Sequence, residues 1–460
     1  MLTGADLIHR TLAPWYRGRR VVLVGRPLGQ VGPLVEALLA MGAEAPFLLA
    51  NEPGRPPRGL AGFHVVRADM ASRRTYTRDL VRLVADPPNA VRAALAGYDP
   101  EGSALVLTPT GAVPPTMDGR AVAGSGHRRH GMLGTLDELD ALWDAVGSRR
   151  LPYDTVDCSH AALAEAAARR DLGYGTLWQG IARDPEGPPA AHTHLVRSGQ
   201  DAVRAASRFS ATCERARVSP VVPGLAVGIT GFVLPGGAAV LPPYEDIVLE
   251  RNGEVSSLGC STFFEPSPEA RSGMVAMARA IGERLDGKLG YRGPYRMSGL
   301  LVGDAFVPVD LALGGGLVHA FFESKVPGLC LELLNAALIS GFSPELTPTE
   351  LEAVLAAAVE RDRGSVLVVE TPAAPPSGTR SRWLTRKDGL LQVAEPRSRS
   401  VGSLVHTPSG GAGKLLLIAG PSFPGRGGII GADAALACRI AEREWNLGIG
   451  ETSAPWPGPR

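Results

Sequence analysis

Apolar and polar residues along the chain alternate between two periods. The apolar run 21–25 is followed by the turn Arg26-Pro27-Leu28-Gly29-Gln30-Val31-Gly32, then by Leu34, Val35, Leu38, Leu39 and Met41 at helical spacing. That order predicts strand, glycine-rich turn and helix. Further strands are expected at 46–50, 63–67 and 104–108 and a helix at 89–96, so residues 1–125 read as a small parallel α/β domain. Pro27 takes the second glycine position of a dinucleotide fingerprint, so the turn reads as ordinary strand–helix packing.

From 126 to 330 the texture changes. Helices are expected at 136–146, 160–171 and 201–215, followed by hairpins at 228–241 and 246–258. Ser267 caps a helix whose apolar stripe is Met274, Val275, Met277, Ala278, Ile281 and Leu285. A further antiparallel hairpin is expected at 295–311, with Gly303-Asp304 as its turn. Residues 331–450 read as an α+β region. A buried helix at 329–339 is followed by one opening on the capping box Thr347-x-x-Glu350. A linker at 371–378 leads into an arginine-rich stretch, Arg380, Arg382, Arg386, Lys387, Arg397 and Arg399, read as a solvated face. Short strands at 390–394 and 414–419 and a helix at 432–445 complete it, and 451–460 is expected to be disordered. Gly410-Gly411-Ala412-Gly413-Lys414 is not a P-loop, because Pro408 replaces its first glycine and Leu415 its hydroxyl residue.

A formal net charge of +1 gives no reason to expect nucleic acid or an anionic membrane as partner. Five dispersed cysteines without a CxxC pair fit neither zinc nor a disulfide framework, and a reducing cytoplasm is expected. Of the 47 basic residues only Lys288, Lys325, Lys387 and Lys414 are lysines, so any chemistry that needs an ammonium group before residue 288 is excluded.

The segment 290–317, Gly-Tyr-Arg-Gly-Pro-Tyr-Arg-Met-Ser-Gly-Leu-Leu-Val-Gly-Asp-Ala-Phe-Val-Pro-Val-Asp-Leu-Ala-Leu-Gly-Gly-Gly-Leu, resembles the end of an ATP-grasp domain. The preceding order is similar too, with Asp140-Ala-Leu-Trp-Asp144, then Pro243-Tyr-Glu-Asp246, then Phe263-Phe-Glu-Pro266 before the long helix. With the small α/β domain in front, the whole resembles actinobacterial peptide ligases of the pheganomycin-biosynthesis type. That resemblance implies a pre-ATP-grasp domain (1–125), an ATP-grasp fold of two α+β subdomains (126–330) and a C-terminal α+β extension (331–450).

Ligases of this kind join a carboxylate to an amine through an acyl phosphate made from ATP, with two lysines on the phosphates and Mg²⁺ held by strand carboxylates and an Asn. This sequence departs from that pattern. Asp310 stands for the family's Glu, but Ala312 replaces the Asn, Ser298 faces where a carboxylate belongs, and Thr135 takes the place of the first lysine. Val221-Val222-Pro223 replaces the acid expected on the ribose. A degenerate ATP site with no metal assigned is therefore expected, with ATP and Mg²⁺ as the family's cofactors and none assigned here.

The resemblance places Asp310, His319 and Glu323 as catalytic candidates beside the glycine run 314–316, and Arg296 and Ser298 as substrate-binding residues. The expected substrate is a small peptide or an amino-acid-like molecule, in a specialised pathway. The alternatives are an amide ligase with a non-standard ATP site, an ATP-independent enzyme in the same cleft, and a non-catalytic partner of an active ligase or a homo-oligomer. Weaker candidates are the basic knot His127, Arg128, Arg129 and His130, the His192/His194 pair, and Cys158 with His160.

Overall fold

The computed structural model describes residues 4–66, 73–109, 113–123, 136–182, 193–372, 374–376, 378–394, 400–409, 412–420, 423–424 and 427–456. Its N-terminal domain is a sheet in which the strands Gly62–Val65, Phe47–Glu52, Val21–Pro27, Leu105–Leu107 and Arg120–Ala123 lie parallel in that spatial order, with Thr116–Met117 antiparallel at the edge. Alternate residues of the first strand serve different cores, as a period of two requires. Val22 and Val24 pack with Leu80, Val84, Val91 and Leu95. Val21 and Leu23 share a core with Leu331, Leu334, Leu351 and Leu355, from helices more than 300 residues later.

A second sheet begins with four antiparallel strands in the order Asp154–Asp157, Cys213–Pro220, Thr176–Ala182 and Thr193–Val196. Helices His160–Arg170 and Gly199–Thr212 cover it and give this lobe its own core around Trp178, Phe209 and Leu163. The central part of the sheet runs in the order Ala305–Leu313, Gly293–Val302, Leu225–Leu234, Tyr244–Arg251 and Glu254–Ser261. Both expected hairpins therefore lie in one antiparallel sheet.

Beneath this sheet runs the helix Pro268–Leu289, with Met274, Ala278, Ile281 and Leu285 buried. Its start is fixed by Ser267, whose hydroxyl accepts from the Ala270 N–H at 3.1 Å, and its end by Gly290 at φ +56°. At Gly282 an added Cβ would lie 2.3 Å from that of Ala238, so glycine is what lets helix and sheet meet. Met277 is only half-buried.

Strands of the C-terminal region do not form a sheet of their own. Ser365–Thr371 pairs with the 254–261 strand, and Ala412–Ala419, Gly402–Ser409, Arg380–Lys387 and Leu390–Ala394 follow in turn. The helix Gly431–Trp445 packs on their face through Ala434, Cys438 and Ile440.

Several expectations need correction. The arginine-rich stretch is not simply a solvated face: Arg380 lies over the Trp445 ring, Arg382 pairs with Glu444 and Arg386 with Asp433, all from the 380–387 strand. Most of its side chains are polar, with only Trp383 and the buried Leu384 apolar, so the sequence does not mark it as a strand. The stretch from 451 onward is not wholly disordered. Thr452–Ser453 pairs with the 244–251 strand, and the Thr452 hydroxyl donates to the Ala435 carbonyl at 3.1 Å. The helix expected at 201–215 stops at Thr212, and Cys213–Pro220 is a strand. Arg397, Arg399, Gly410 and Gly411 lie outside the described residues. No described helix is long and apolar enough to cross a membrane.

Candidate functional site

A cavity of about 1540 Å³ opens where the N-terminal domain, the four-stranded lobe and the central sheet meet. The carboxyl ends of the first parallel strands reach it through Gly25, Arg26, Asn51 and Pro109, on either side of the point where the strand order reverses. That crevice is where open α/β sheets leave room for a ligand.

The central sheet supplies the densest chemistry. Side chains two apart on a strand share a face, so Arg296 and Ser298 point the same way. Ser298 lies directly opposite Asp310 and Arg296 opposite Ala312. On the other side of that strand, Thr230 is opposite Arg296 and Gly228 opposite Ser298. Gly228 is required here, because an added Cβ would come 2.4 Å from the Tyr244 hydroxyl lying over it. Tyr244 and Asp246 project from the next strand. Asp246 accepts from the Ser257 hydroxyl at 2.5 Å, and Arg296 Nη1 donates to the same oxygen at 3.4 Å. Ser257 thus joins the arginine to the carboxylate.

The electrostatics follow from this crowding. Burial pushes both Asp246 and Asp310 above the usual carboxylate range, and the Arg296 guanidinium pulls each back down. Asp246 is closed off from solvent, whereas Asp310 shows its carboxylate to the cavity while protein surrounds it on the other sides. Of the buried hydroxyls on this face, that of Tyr244 has no hydrogen-bond partner, and that of Ser298 lies beside the Asp246 carboxylate. A buried hydroxyl without a partner is normally satisfied by an internal water or a ligand.

His319 borders the cavity from the helix Leu317–Ser324. Its Nε2 is 2.7 Å from the Thr230 hydroxyl, which donates its own proton to the Tyr295 carbonyl at 2.6 Å. Nε2 therefore carries the proton and donates. Burial lowers the imidazole to about 4, so it is neutral at pH 7.

Glu323 is not where the resemblance put it. It does not line the cavity; burial pushes it up to about 7 while the Leu331 N–H at the start of the 331–339 helix pulls it down. One helical turn beyond His319, it sits at a helix junction. Asp310, Arg296, Ser298 and His319 are brought together, and Glu323 is a correction.

Sequence reasoning missed Asp246, Tyr244 and Ser257 as site residues. The Pro243-Tyr-Glu-Asp246 string was visible, but nothing local tells Glu245 from Asp246. Glu245 turns to the opposite face and accepts the Ile430 and Gly431 N–H groups at 2.8 and 2.7 Å. A second polar cluster was also missed: Asp140 receives Arg217 at 2.7 Å and Arg150 at 2.9 Å along with the Tyr153 hydroxyl, so these two of the arginines on the cavity wall are already paired. Cys158 is buried and His160 exposed at a helix start, and among the described residues no ligand set forms around them. His194 is packed edge-on against Phe209. His127, Arg128, Arg129, His130, Thr135 and His192 lie outside the described residues.

No family model and no curated protein sequence matches the chain. Among solved structures, the fold is similar to the ADP complex of purK, an N5-carboxyaminoimidazole ribonucleotide synthetase, at 13% identity and a TM-score of 0.50, covering 93% of this chain and 98% of that one. It is also similar to a biotin carboxylase from Campylobacter jejuni, at 11% identity and a TM-score of 0.52 over 92% and 91% of the two chains. A third is the biotin carboxylase domain of the Hydrogenobacter thermophilus 2-oxoglutarate carboxylase, at 11% and 0.52 over 87% and 86%. The chain has an ATP-grasp fold.

An ATP-grasp cleft in which Mg²⁺ screens phosphate charge needs several oxygen ligands around one point. The residues present do not fit that ion. Among the described residues no group of three or more His, Cys, Asp and Glu side chains forms a metal site. Between Asp246 and Asp310 the chain places the guanidinium of Arg296, a fixed cation that competes for the same charge. Of the four lysines only Lys414 borders the cavity, from the C-terminal strands and not from the four-stranded lobe.

Proposed function

We propose that this chain is an ATP-grasp-fold protein descended from carboxylate–amine ligases, acting in specialised biosynthesis on a small peptide or amino-acid-like substrate, with a degenerate ATP site. The observation that carries the reading is the cavity face on which Asp246, Arg296 and Asp310 converge beside Ser298 and the unpartnered hydroxyl of Tyr244. Two carboxylates and one guanidinium suit a zwitterion. Arg296 takes the substrate carboxylate as a fork, Asp310 takes its ammonium group, and the Tyr244 hydroxyl gains the bond it lacks. The neutral His319 is held in one tautomer by Thr230 and lines the same face, where its burial keeps it from competing as a cation.

Degeneracy rests on the missing groups: no lysine before 288, Ser298 and Ala312 in place of a metal-binding acid and amide, and Arg296 in the space a metal would use. Each absent charge-assisted contact is normally worth about 1.5–3 kcal/mol. Calorimetric titration with ATP and Mg²⁺ tests this half of the reading. A Kd below about 0.1 mM, ~5.5 kcal/mol, would restore an ordinary nucleotide site. Titration with a panel of α-amino acids and dipeptides tests the other half: at least one should bind, and Asp310→Asn should weaken it tenfold or more. Unchanged binding in Asp310→Asn, or no binder in the panel, rules out the zwitterion site.

A further inference from the structure

At one end of the cavity an apolar slot is formed by two different sheets. Leu177 and Leu195 come from the four-stranded lobe, Val221 from the connection leaving it, and Val248 and Val255 from the central sheet. The indole of Trp456 is packed against these side chains, and Leu177, Val221, Val248, Val255 and Trp456 all border the cavity.

The segment carrying this indole is tied down on both sides of the slot. Thr452 and Ser453 pair with Arg251 and Glu250 of the central sheet. Thr452 is buried, its carbonyl accepting from Arg439 at 2.7 Å and its hydroxyl donating to Ala435. From the four-stranded lobe, Arg197 donates to the Pro455 carbonyl and, at 2.8 Å, to Glu250. The segment 452–456 therefore bridges the two lobes across the slot, with a planar ring at its tip.

We infer that 452–456 is a strap and that Trp456 acts as a built-in occupant of a site for a flat ring, keeping the cavity closed at this end until the strap is displaced. The inference rests on the degenerate-site reading and adds a cause to it: a planar ligand meets missing phosphate contacts and also a slot already filled. A site open only a small fraction of the time binds with its affinity reduced by that fraction. Trp456 is partly buried, and the segment pairs with the sheet through two residues only, so the strap is a local device whose release does not require the core to open.

The test is calorimetric titration of adenosine, which carries the ring without phosphates, into the wild-type chain, Trp456→Ala and Trp456→Phe. Thermal melts confirm that all three are folded. Arg197→Ala provides a second opening that leaves the indole in place. Trp456→Ala should bind adenosine at least tenfold more tightly than wild type, Trp456→Phe should stay close to wild type, and Arg197→Ala should fall between. No gain in Trp456→Ala, or an equal gain in Trp456→Phe, overturns the strap. Because adenosine has no phosphates, failure here leaves the ATP–Mg²⁺ result standing, and tight ATP–Mg²⁺ binding by wild type overturns the degenerate-site reading by itself.

Discussion

Replacing Arg296 by Gln removes the one cation from between two carboxylates, and the structure says how the loss should vary with pH. Asp310 is one register step diagonal to Arg296, a cross-strand separation of about 7 Å, which at an effective dielectric constant of 20 gives roughly 2 kcal/mol of attraction. Because Asp310 opens on the cavity, solvent screening puts its share at the low end. Asp246, closed off and joined to Arg296 through Ser257, should lose as much or more. The total, roughly 3–4 kcal/mol, matches the usual cost of removing one partner from a buried charge pair.

The sign of the pH effect follows from proton binding. Both carboxyls already sit above the unfolded value, so the folded chain binds more protons than the unfolded one and stability falls as pH rises. Without Arg296 both move higher. As pH falls, more of each carboxyl is protonated and escapes the penalty, and as pH rises more of the charge remains. Urea unfolding at pH 5, 6.5 and 8 should show the Arg296→Gln deficit growing at each step. In the double variant with Asp310→Asn, at least about 1 kcal/mol should return at pH 8, a coupling that a double-mutant cycle isolates. An equal deficit at pH 5 and pH 8, or no recovery in the double variant, would refute the electrostatic account of this face.

Other outcomes follow from single contacts. His319 is lowered to about 4 from an ordinary 6.5, so the unfolded chain binds the extra proton and stability drops as pH falls through that window, by roughly 3 kcal/mol in full; His319→Gln should flatten the melting temperature between pH 4.5 and 6.5. Gly228→Ala forces a methyl against the Tyr244 phenol and should cost about 1–3 kcal/mol in urea unfolding, with a larger loss of substrate binding than of stability. Glu245→Ala strips the N–H groups of Ile430 and Gly431 of their acceptor, and hydrogen exchange should speed up in the first turn of the 431–445 helix before anywhere else.

What the sequence disclosed depended on whether a signal was local. Period and caps were enough for the 21–27 strand, the Ser267 and Thr347 helix starts and both central hairpins, because each is written within about twenty residues. The facing of Arg296 and Ser298 toward Asp310 was legible for the same reason, as strand alternation and a two-residue turn determine it. Asp246 and Tyr244 were not, since their place beside Arg296 depends on a strand crossing from 225 to 234 between them. Glu323 was misplaced because helical spacing from His319 does not say which neighbour covers that turn. The 380–387 and 402–409 strands were not read, the first because most of its side chains are polar, and both are defined by pairing with each other and with the 390–394 and 412–419 strands.

The division of cores has a consequence for motion. Val21 and Leu23 share their packing with the 331–361 helices, and these helices pack on the central sheet through Phe232 and Tyr244, so the N-terminal domain and the central sheet should move as one body. The four-stranded lobe is different. It has a core of its own around Trp178 and Phe209, and meets the rest through the Arg217–Asp140, Arg208–Glu254 and Arg197–Glu250 pairs, a strand bridge from His194 to Glu254, the short connection after Pro220 and the small apolar cluster in which Leu177 and Leu195 touch Val221, Val248, Val255 and Trp456. Surface ion pairs and one small apolar cluster are remade at less cost than the large core shared by the N-terminal domain and the 331–361 helices. Breathing that admits a molecule to the cavity is therefore expected as a swing of this lobe about its connections, and cross-linking it to residues 250–256 would lock the chamber without touching Asp310, Arg296 or His319.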